Sequence, residues 1–295
     1  MGTSGALLLT AGFGTRAEPL SLVRPKCLLP WGETTVLGFL AERAAALDPG
    51  LIALNASRCP ELVLSALDQV WPRDRCRLYF EERPLGTAAT LSRHCGLLSS
   101  GTWMLGNTDM VIPELDLHAM LRRHRESGAA WTALTGVLPA GGDYRPLHAD
   151  RCGRFGHGGE TGTHYLGISF IEPSVSRLAM ETQCSGGLFT ELAPLAAGKC
   201  GDLLVFHHEG RWLDMGRMER LRENILSGGS FVHPTACISS DAVLSGSYHI
   251  GRGCMLGGGT ELHDSVMLEG STLESGRLES TILSWYCSSP EGKPR

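Results

Sequence analysis

Lysine is almost missing from this chain: among 295 residues only Lys26, Lys199 and Lys293 carry an ammonium group. With 26 basic against 31 acidic residues the net charge is −5, so no global positive field draws the chain to nucleic acid, and none is expected as a partner. Long apolar runs are missing as well. The run Ala6 to Leu9 is followed within a few residues by glycine and charge, far short of a membrane span, and no membrane partner is expected. Ten cysteines are scattered without a C-x-x-C pair or a zinc-ligand spacing. That argues against a structural zinc site and fits the reduced thiols of a cytoplasmic enzyme. The chain is long enough for one large core and a smaller module.

What is present is concentrated near the start. The apolar run leads into Gly12-Phe13-Gly14-Thr15-Arg16, and Lys26 follows Pro19 and Pro25. A buried strand ending in a glycine loop exposes backbone N–H groups that can hold phosphate oxygens. Arg16 and Lys26 add two cations suited to the same ligand. Gly12, Gly14 and Ala17 also satisfy a dinucleotide-binding G-x-G-x-x-A, but that motif needs a helix to start at the loop. Pro19 and Pro25 interrupt the following residues, so the spacing predicts an extended, phosphate-wrapping loop.

Farther on, strand-like and helix-like segments alternate. Ala6–Leu9, Leu51–Leu54, Leu78–Phe80, Trp103–Leu105, Ala130–Leu138 and Leu203–Phe206 read as strands. Thr35–Ala46, Glu61–Val70, Thr87–Leu97 and Leu117–Glu126 have helical spacing. Such alternation predicts an α/β fold, a Rossmann-like and mostly parallel sheet flanked by helices. In sheets of this kind ligands bind beyond the carboxyl ends of the strands. Asn55, after the second strand, reads equally as a turn cap or as a site residue.

A second module follows from arithmetic. Val232, Ile238, Leu244, Ile250, Leu256, Leu262 and Leu268 are apolar at a strict six-residue period, which breaks at Glu274, with Leu273, Leu278 and Ile282 as its continuation out of register. Neither a helix nor an ordinary strand has that period, whereas a hexapeptide β-helix does. The pattern resembles left-handed β-helix repeats, of about three coils. Ser227-Gly228-Gly229-Ser230 makes a linker, giving domains at 1–228 and 229–288. Such repeats also build acyltransferases, with His233, His249 and His263 as the candidate bases here. Assembly of a homo-oligomer is the simpler role for a short tail.

Four segments, in order, resemble the signatures of the sugar-1-phosphate nucleotidyltransferases, or NDP-sugar pyrophosphorylases. They are Gly12 to Lys26, Glu81-Glu82-Arg83-Pro84-Leu85-Gly86-Thr87-Ala88, Gly106-Asn107-Thr108-Asp109 and Trp212-Leu213-Asp214-Met215-Gly216. Among these enzymes the chain looks most like the mannose-1-phosphate guanylyltransferases, with glucose-1-phosphate thymidylyl- and uridylyltransferases close behind. A regulatory relative that binds nucleotide sugar without turnover is the alternative from another class.

The resemblance implies a reaction in which an NTP and a sugar-1-phosphate give an NDP-sugar and pyrophosphate, with GTP and mannose-1-phosphate as the favoured pair. It assigns Arg16 and Lys26 to catalysis, and Leu9, Ala11, Gly12, Gly14, Thr15, Glu81, Gly86 and Thr87 to the nucleotide. Asp109 and Asp214 would share Mg2+. A carboxylate at Glu81 or Glu82 would meet the N–H edge of guanine. Many relatives carry a second lysine that grips the sugar phosphate, but this chain has none between Lys26 and Lys199. An arginine among Arg145, Arg151 and Arg154 is expected to replace it, with Glu160, His164 and Gly167 near the sugar. Smaller departures are Ala17, Cys27 and Thr108, where many members have Leu, Pro and Gly.

Overall fold

The computed structural model describes residues 2–12, 14–139, 144–155 and 161–284. By its contacts the chain gathers into two compact units, one of residues 1–12 and 40–212, the other of 13–39 and 213–295. The segment 13–39 and residues 213–228 thus group with the C-terminal repeats, where a single cut at 228/229 was expected.

The first unit is built on an eight-stranded sheet. Its strands are β1 (Gly5–Leu9), β2 (Ile52–Ala56), β3 (Cys76–Phe80), β4 (Trp103–Asn107), β5 (Trp131–Gly136), β6 (Leu147–Ala149), β7 (Thr161–Ile171) and β8 (Leu203–His207). They lie in the order β8-β5-β7-β4-β1-β2-β3, with β6 paired to β7. The pairs β1–β2, β1–β4, β2–β3 and β5–β8 are parallel. Ala6, Leu7, Leu8 and Ile52 to Leu54 are at most 1% exposed, as expected of parallel strands covered on both faces. The sheet is therefore parallel-dominated. Its exception is β7, antiparallel to both β4 and β5.

The helices include α1 (Val36–Ala45), α2 (Pro60–Asp68), α3 (Thr87–Arg93), α4 (Leu117–Ser127), α5 (Pro173–Glu181) and α6 (Ala193–Lys199). Local chemistry sets their ends. Asp116 caps α4 by accepting from Ala119 N at 2.8 Å, and Gly128 closes it at φ 65°, the left-handed C-terminal position that suits glycine. Trp131, Phe155 and Phe189 interlock in the core, Trp131 edge-on to Phe155 with centroids 5.3 Å apart.

The second unit begins with the glycine loop, and here the expected extended loop is corrected. The chain forms three single turns, Thr15–Ala17, Leu20–Val23 and Lys26–Leu28. The prolines partition these turns without forbidding them. Pro19 stands at the start of the second turn, and Pro25 forces Arg24 into extended backbone (φ −141°, ψ 131°) before the third. The buried side chains of Ala17, Leu20, Cys27, Leu28 and Leu29 hold the loop down.

After α7 (Met218–Leu226) the repeats run through β9 (Phe231–Val232), β10 (Cys237–Ile238), β11 (Val243–Ile250), β12 (Met255–Leu256), β13 (Glu261–Met267), β14 (Thr272–Leu273), β15 (Arg277–Glu279) and β16 (Ile282–Leu283). They pair in parallel at an 18-residue offset, Phe231 with His249, Cys237 with Met255 and Leu244 with Leu262. Beyond the expected break the pairing persists with shorter turns, Leu256 with Leu273 and Leu262 with Leu278. Ile250, Cys254, Leu256, Leu262 and Met267 form the buried centre. Helix α7 packs on β11 and β13, where Arg222 Nη1 donates to Asp264 O at 2.8 Å. Among the described residues no helix is long and apolar enough to cross a membrane.

His249 is buried in this unit, its ring 5.3 Å from that of Phe231. Burial first, then the charges of His233 and Arg24, push the imidazole down to about 4. The folded protein thus keeps His249 neutral, while the unfolded chain takes up a proton below about 6.5. Stability is complete above that pH and is lost as pH falls toward 4, with a slope of up to about 1.4 kcal/mol per pH unit. Urea unfolding of His249→Leu between pH 4 and 7 is expected to show a shallower pH dependence than the parent. An unchanged slope would refute this assignment.

Candidate active site

In the first unit, the ends of β1 and β2 and the loop after β3 are joined by one buried network. Asn55 Oδ1 accepts from Thr10 N at 2.9 Å and from Ala11 N at 3.4 Å, and Thr10 Oγ1 donates to Asn55 O. On its other side Asn55 Nδ2 donates to Glu81 Oε1 at 3.0 Å, which also accepts from Thr90 Oγ1 at 3.1 Å. Glu81 Oε2 accepts from Leu85 N at 3.0 Å. Asn55, Glu81 and Thr90 are at most 4% exposed. A carboxylate so enclosed survives only because its oxygens are hydrogen-bonded.

Glu81 is therefore turned inward, and its carboxylate braces the loop from below, where an outward contact to a base edge was expected. What the brace presents is Gly86 (φ 86°), the residue just before α3, and then Thr87 and Ala88. Leu9 is fixed from β4: Thr108 Oγ1 donates to Leu9 O at 2.8 Å. The threonine that departs from the family pattern thus ties the end of β1 to the loop bearing Asp109. Asp109 is half-buried and near Tyr165, whose phenol is raised by burial and further by the Asp109 charge, against the hydrogen bond from Ser169. Thr108 stands out in the sequence only as a departure from the family pattern, and nothing marks Thr90 beyond a hydroxyl within a helix.

The second unit brings Gly14, Gly216 and Asp214 around Lys26. Its aliphatic stem lies along Gly14 (φ 66°), where an added Cβ would come 2.9 Å from Lys26 Cδ. Its amine lies over Gly216, where an added Cβ would be 2.4 Å from Lys26 Nζ and 2.9 Å from Asp214 Oδ1. Asp214 is buried, accepting from Gly216 N at 2.8 Å and from Arg217 Nε at 3.2 Å, while Asn224 Nδ2 on α7 donates to its carbonyl at 2.9 Å. Thr15 and Arg16 are exposed on the first turn. Gly12, at the end of the first unit's opening segment, is exposed with nothing within 4 Å of an added Cβ.

The expected sugar-phosphate residues are not gathered in this way. Gly167 (φ 80°) sits where the β5–β7 register shifts, and an added Cβ would meet Asn107 Cβ at 2.9 Å. Arg145 is exposed. Arg154 bridges to Leu204 on the edge strand β8, and its Nε pairs with Asp202 at 3.3 Å. Its guanidinium is thus engaged at the sheet edge, away from the role of a second lysine. Glu160 and part of the glycine-rich stretch 153–162 lie outside the described residues. His164 stacks with Tyr144 and Trp212, with centroids 4.7 and 5.0 Å away.

Among the described residues no three His, Cys, Asp or Glu side chains cluster as a closed metal cage. A magnesium ion needs none, because it is commonly held by one or two carboxylates with substrate phosphates completing the octahedron. Asp109 in the first unit and Asp214 in the second, the latter held through both oxygens, are each hard oxygen donors of the kind such an ion takes.

Two substitutions test these contacts. Gly216→Ala displaces the flexible tip of Lys26, so kcat is expected to fall at least about tenfold, with Tm within about 2 °C of the parent. Unchanged turnover would show that the Lys26 position does not matter. Asn55→Ala leaves Thr10 N and the Glu81 carboxylate short of partners, costing about 1–3 kcal/mol in urea unfolding. A loss well under that would remove the network from the framework.

Residues 5–142 match the family model described as Nucleotidyl transferase. The chain is 29% identical over 297 residues to a mannose-1-phosphate guanylyltransferase of Mycobacterium tuberculosis, covering 92% of this chain and 81% of that protein. It is 28% identical to a mannose-1-phosphate guanyltransferase of Aspergillus oryzae, covering 72% of this chain and 60% of that protein. The crystal structure of HddC from Yersinia pseudotuberculosis superposes with a TM-score of 0.60 at 17% identity, over 75% of this chain and 98% of that one, a likeness of fold. The Nucleotidyl transferase match over residues 5–142 and the guanylyltransferase relatives together support a nucleotidyltransferase.

Proposed function

We propose that the chain transfers a nucleotidyl group from an NTP to a sugar-1-phosphate, with GTP and mannose-1-phosphate as the pair. The observation that carries this is Lys26, its stem on Gly14 and its amine over Gly216 beside Asp214. The two mannose-1-phosphate guanylyltransferase relatives support the choice of base and sugar.

An oxygen of the sugar phosphate attacks the α-phosphorus; a new P–O bond forms, the α–β P–O bond breaks, and pyrophosphate leaves with that electron pair. The attacking oxygen is already ionised, so no general base is required, and catalysis is alignment and charge neutralisation. Arg16, with the amides of Gly12, Gly14 and Thr15, takes the departing β- and γ-phosphates. Lys26 bridges the α-phosphate and the incoming phosphate as a compact charge. Gly86 and Thr87 pass along the base, held from below by Glu81. Arg145 remains the candidate for the sugar phosphate. A magnesium ion on Asp109 and Asp214 would neutralise phosphate charge as a Lewis acid. The 18-residue register supports reading residues 231–283 as a left-handed β-helix. Exposed Val243 and Met255 on it support a surface for pairing copies of the chain.

The test is pyrophosphate release across a matrix of NTPs and hexose-1-phosphates. Release with one pair is expected, abolished by chelation of divalent metal and lowered about 10²–10³-fold in Lys26→Ala and Asp109→Ala. No release with any pair from folded, NTP-binding protein would favour the regulatory reading.

A further inference from the structure

The backbone that carries Lys26 is held on its two sides by different means. Downstream, Leu29 N donates to Lys26 O and Val36 N to Leu29 O, both at 3.0 Å, and Cys27 to Leu29 are buried. Upstream, Arg24 precedes Lys26 by two residues, and Pro25 between them fixes the intervening turn. Arg24 N donates to Leu20 O at 3.1 Å. The Arg24 side chain leaves the loop altogether and its Nη2 donates to Glu269 Oε2, 245 residues away in sequence. Glu269 follows β13 in the repeats, and the pair is partly shielded, with side chains 27% and 42% exposed.

Arg24 Nε is buried without a hydrogen-bond acceptor among the described residues. His249, also facing Arg24, is neutral and supplies no counter-charge. Glu269 is thus the carboxylate recorded in contact with a guanidinium drawn in from water. An ion pair this exposed contributes little to global stability. Its geometric effect is larger, because Lys26 must reach phosphate oxygens with a tolerance well under 1 Å.

We propose that Glu269 is a positioning residue for the reaction: through Arg24 it fixes the backbone from which Lys26 reaches the phosphates. The repeats then form part of the catalytic apparatus, beyond any role in assembly. The proposal rests on the nucleotidyl-transfer reading above, and two readouts separate its failure from the failure of that reading.

Steady-state kinetics come first, on Glu269→Ala, Arg24→Ala and the double variant. Glu261→Ala, which removes a similarly exposed partner of Arg277, is the control. Glu269→Ala is expected to lower kcat about tenfold with KM for the NTP changed less than about twofold. Adding Arg24→Ala should cost nothing further, since the two act as one unit. Glu261→Ala should retain parental kcat. A kcat within twofold of the parent in Glu269→Ala, or losses that multiply in the double variant, would overturn the proposal. Glu269→Gln, which keeps the shape and an acceptor, replaces the alanine variant if that one fails to fold. The second readout is amide hydrogen exchange of residues 26–29 without substrate. Faster exchange in Glu269→Ala supports the tether even if no substrate pair is turned over, a result that would sink only the functional reading. Unchanged exchange would sink the tether.

Discussion

Two glycines make room for one lysine, and much of the second unit follows from that steric fact. A Cβ at Gly14 would press on the stem of Lys26, and a Cβ at Gly216 would occupy the place of its amine. The two glycines lie some two hundred residues apart, so the unit has to be discontinuous, joining 13–39 to 213–295. Asp214 stands two residues before Gly216, and α7 holds it by the bond from Asn224 to its carbonyl. The helix is in turn fastened to the repeats by Arg222. A cation, a carboxylate and their supports are thereby fixed before any ligand arrives, which is the condition for electrostatic preorganisation.

The first unit meets the same condition with neutral hydrogen bonds around one buried charge. Glu81 could not be enclosed alone, since an unpaired buried carboxylate would protonate or drag water inward. Asn55, Thr90 and Leu85 N together satisfy it. The result is stiff because each partner belongs to a different element: Asn55 to β2, Thr90 to α3, Leu85 to the loop between. The same asparagine, donating to Glu81 through Nδ2, accepts from Thr10 N and Ala11 N at Oδ1, so two loop starts share one anchor. Thr108 adds a third by capping the carbonyl of Leu9.

Much of this was legible in the sequence. Strands β1, β2, β3, β4 and β5 and helices α1 to α4 announce themselves, because buried parallel strands are short apolar runs and the helices repeat at 3.6 residues. The six-residue period was legible for the same reason, and so was its out-of-register continuation past Glu274 through Leu273, Leu278 and Ile282, where the turns shorten by a residue or two while pairing continues. Strand β7 was harder. It runs through a glycine and polar residues, and its direction is a tertiary choice that no local pattern encodes. The direction of a side chain was also hidden: Glu81 stands in a motif, yet whether it faces ligand or core depends on Asn55 and Thr90. The pairing of Arg154 with Asp202 is likewise set by the sheet edge.

The scarcity of lysine now has a structural reading at one of its three positions. Most of the 26 basic residues are arginines, and two of them meet carboxylates through a single guanidinium nitrogen, Arg24 with Glu269 and Arg217 with Asp214. The channel between Gly14 and Gly216 is different. It accepts an unbranched stem 2.9 Å from the place of one missing Cβ and a single amine 2.4 Å from another. A guanidinium, wider and rigid, would have to occupy the space that Gly216 leaves, beside an Asp214 that already accepts from Arg217 Nε. A compact amine on an unbranched stem fits that space. In a chain that otherwise prefers arginine, Lys26 is set by the width of its channel.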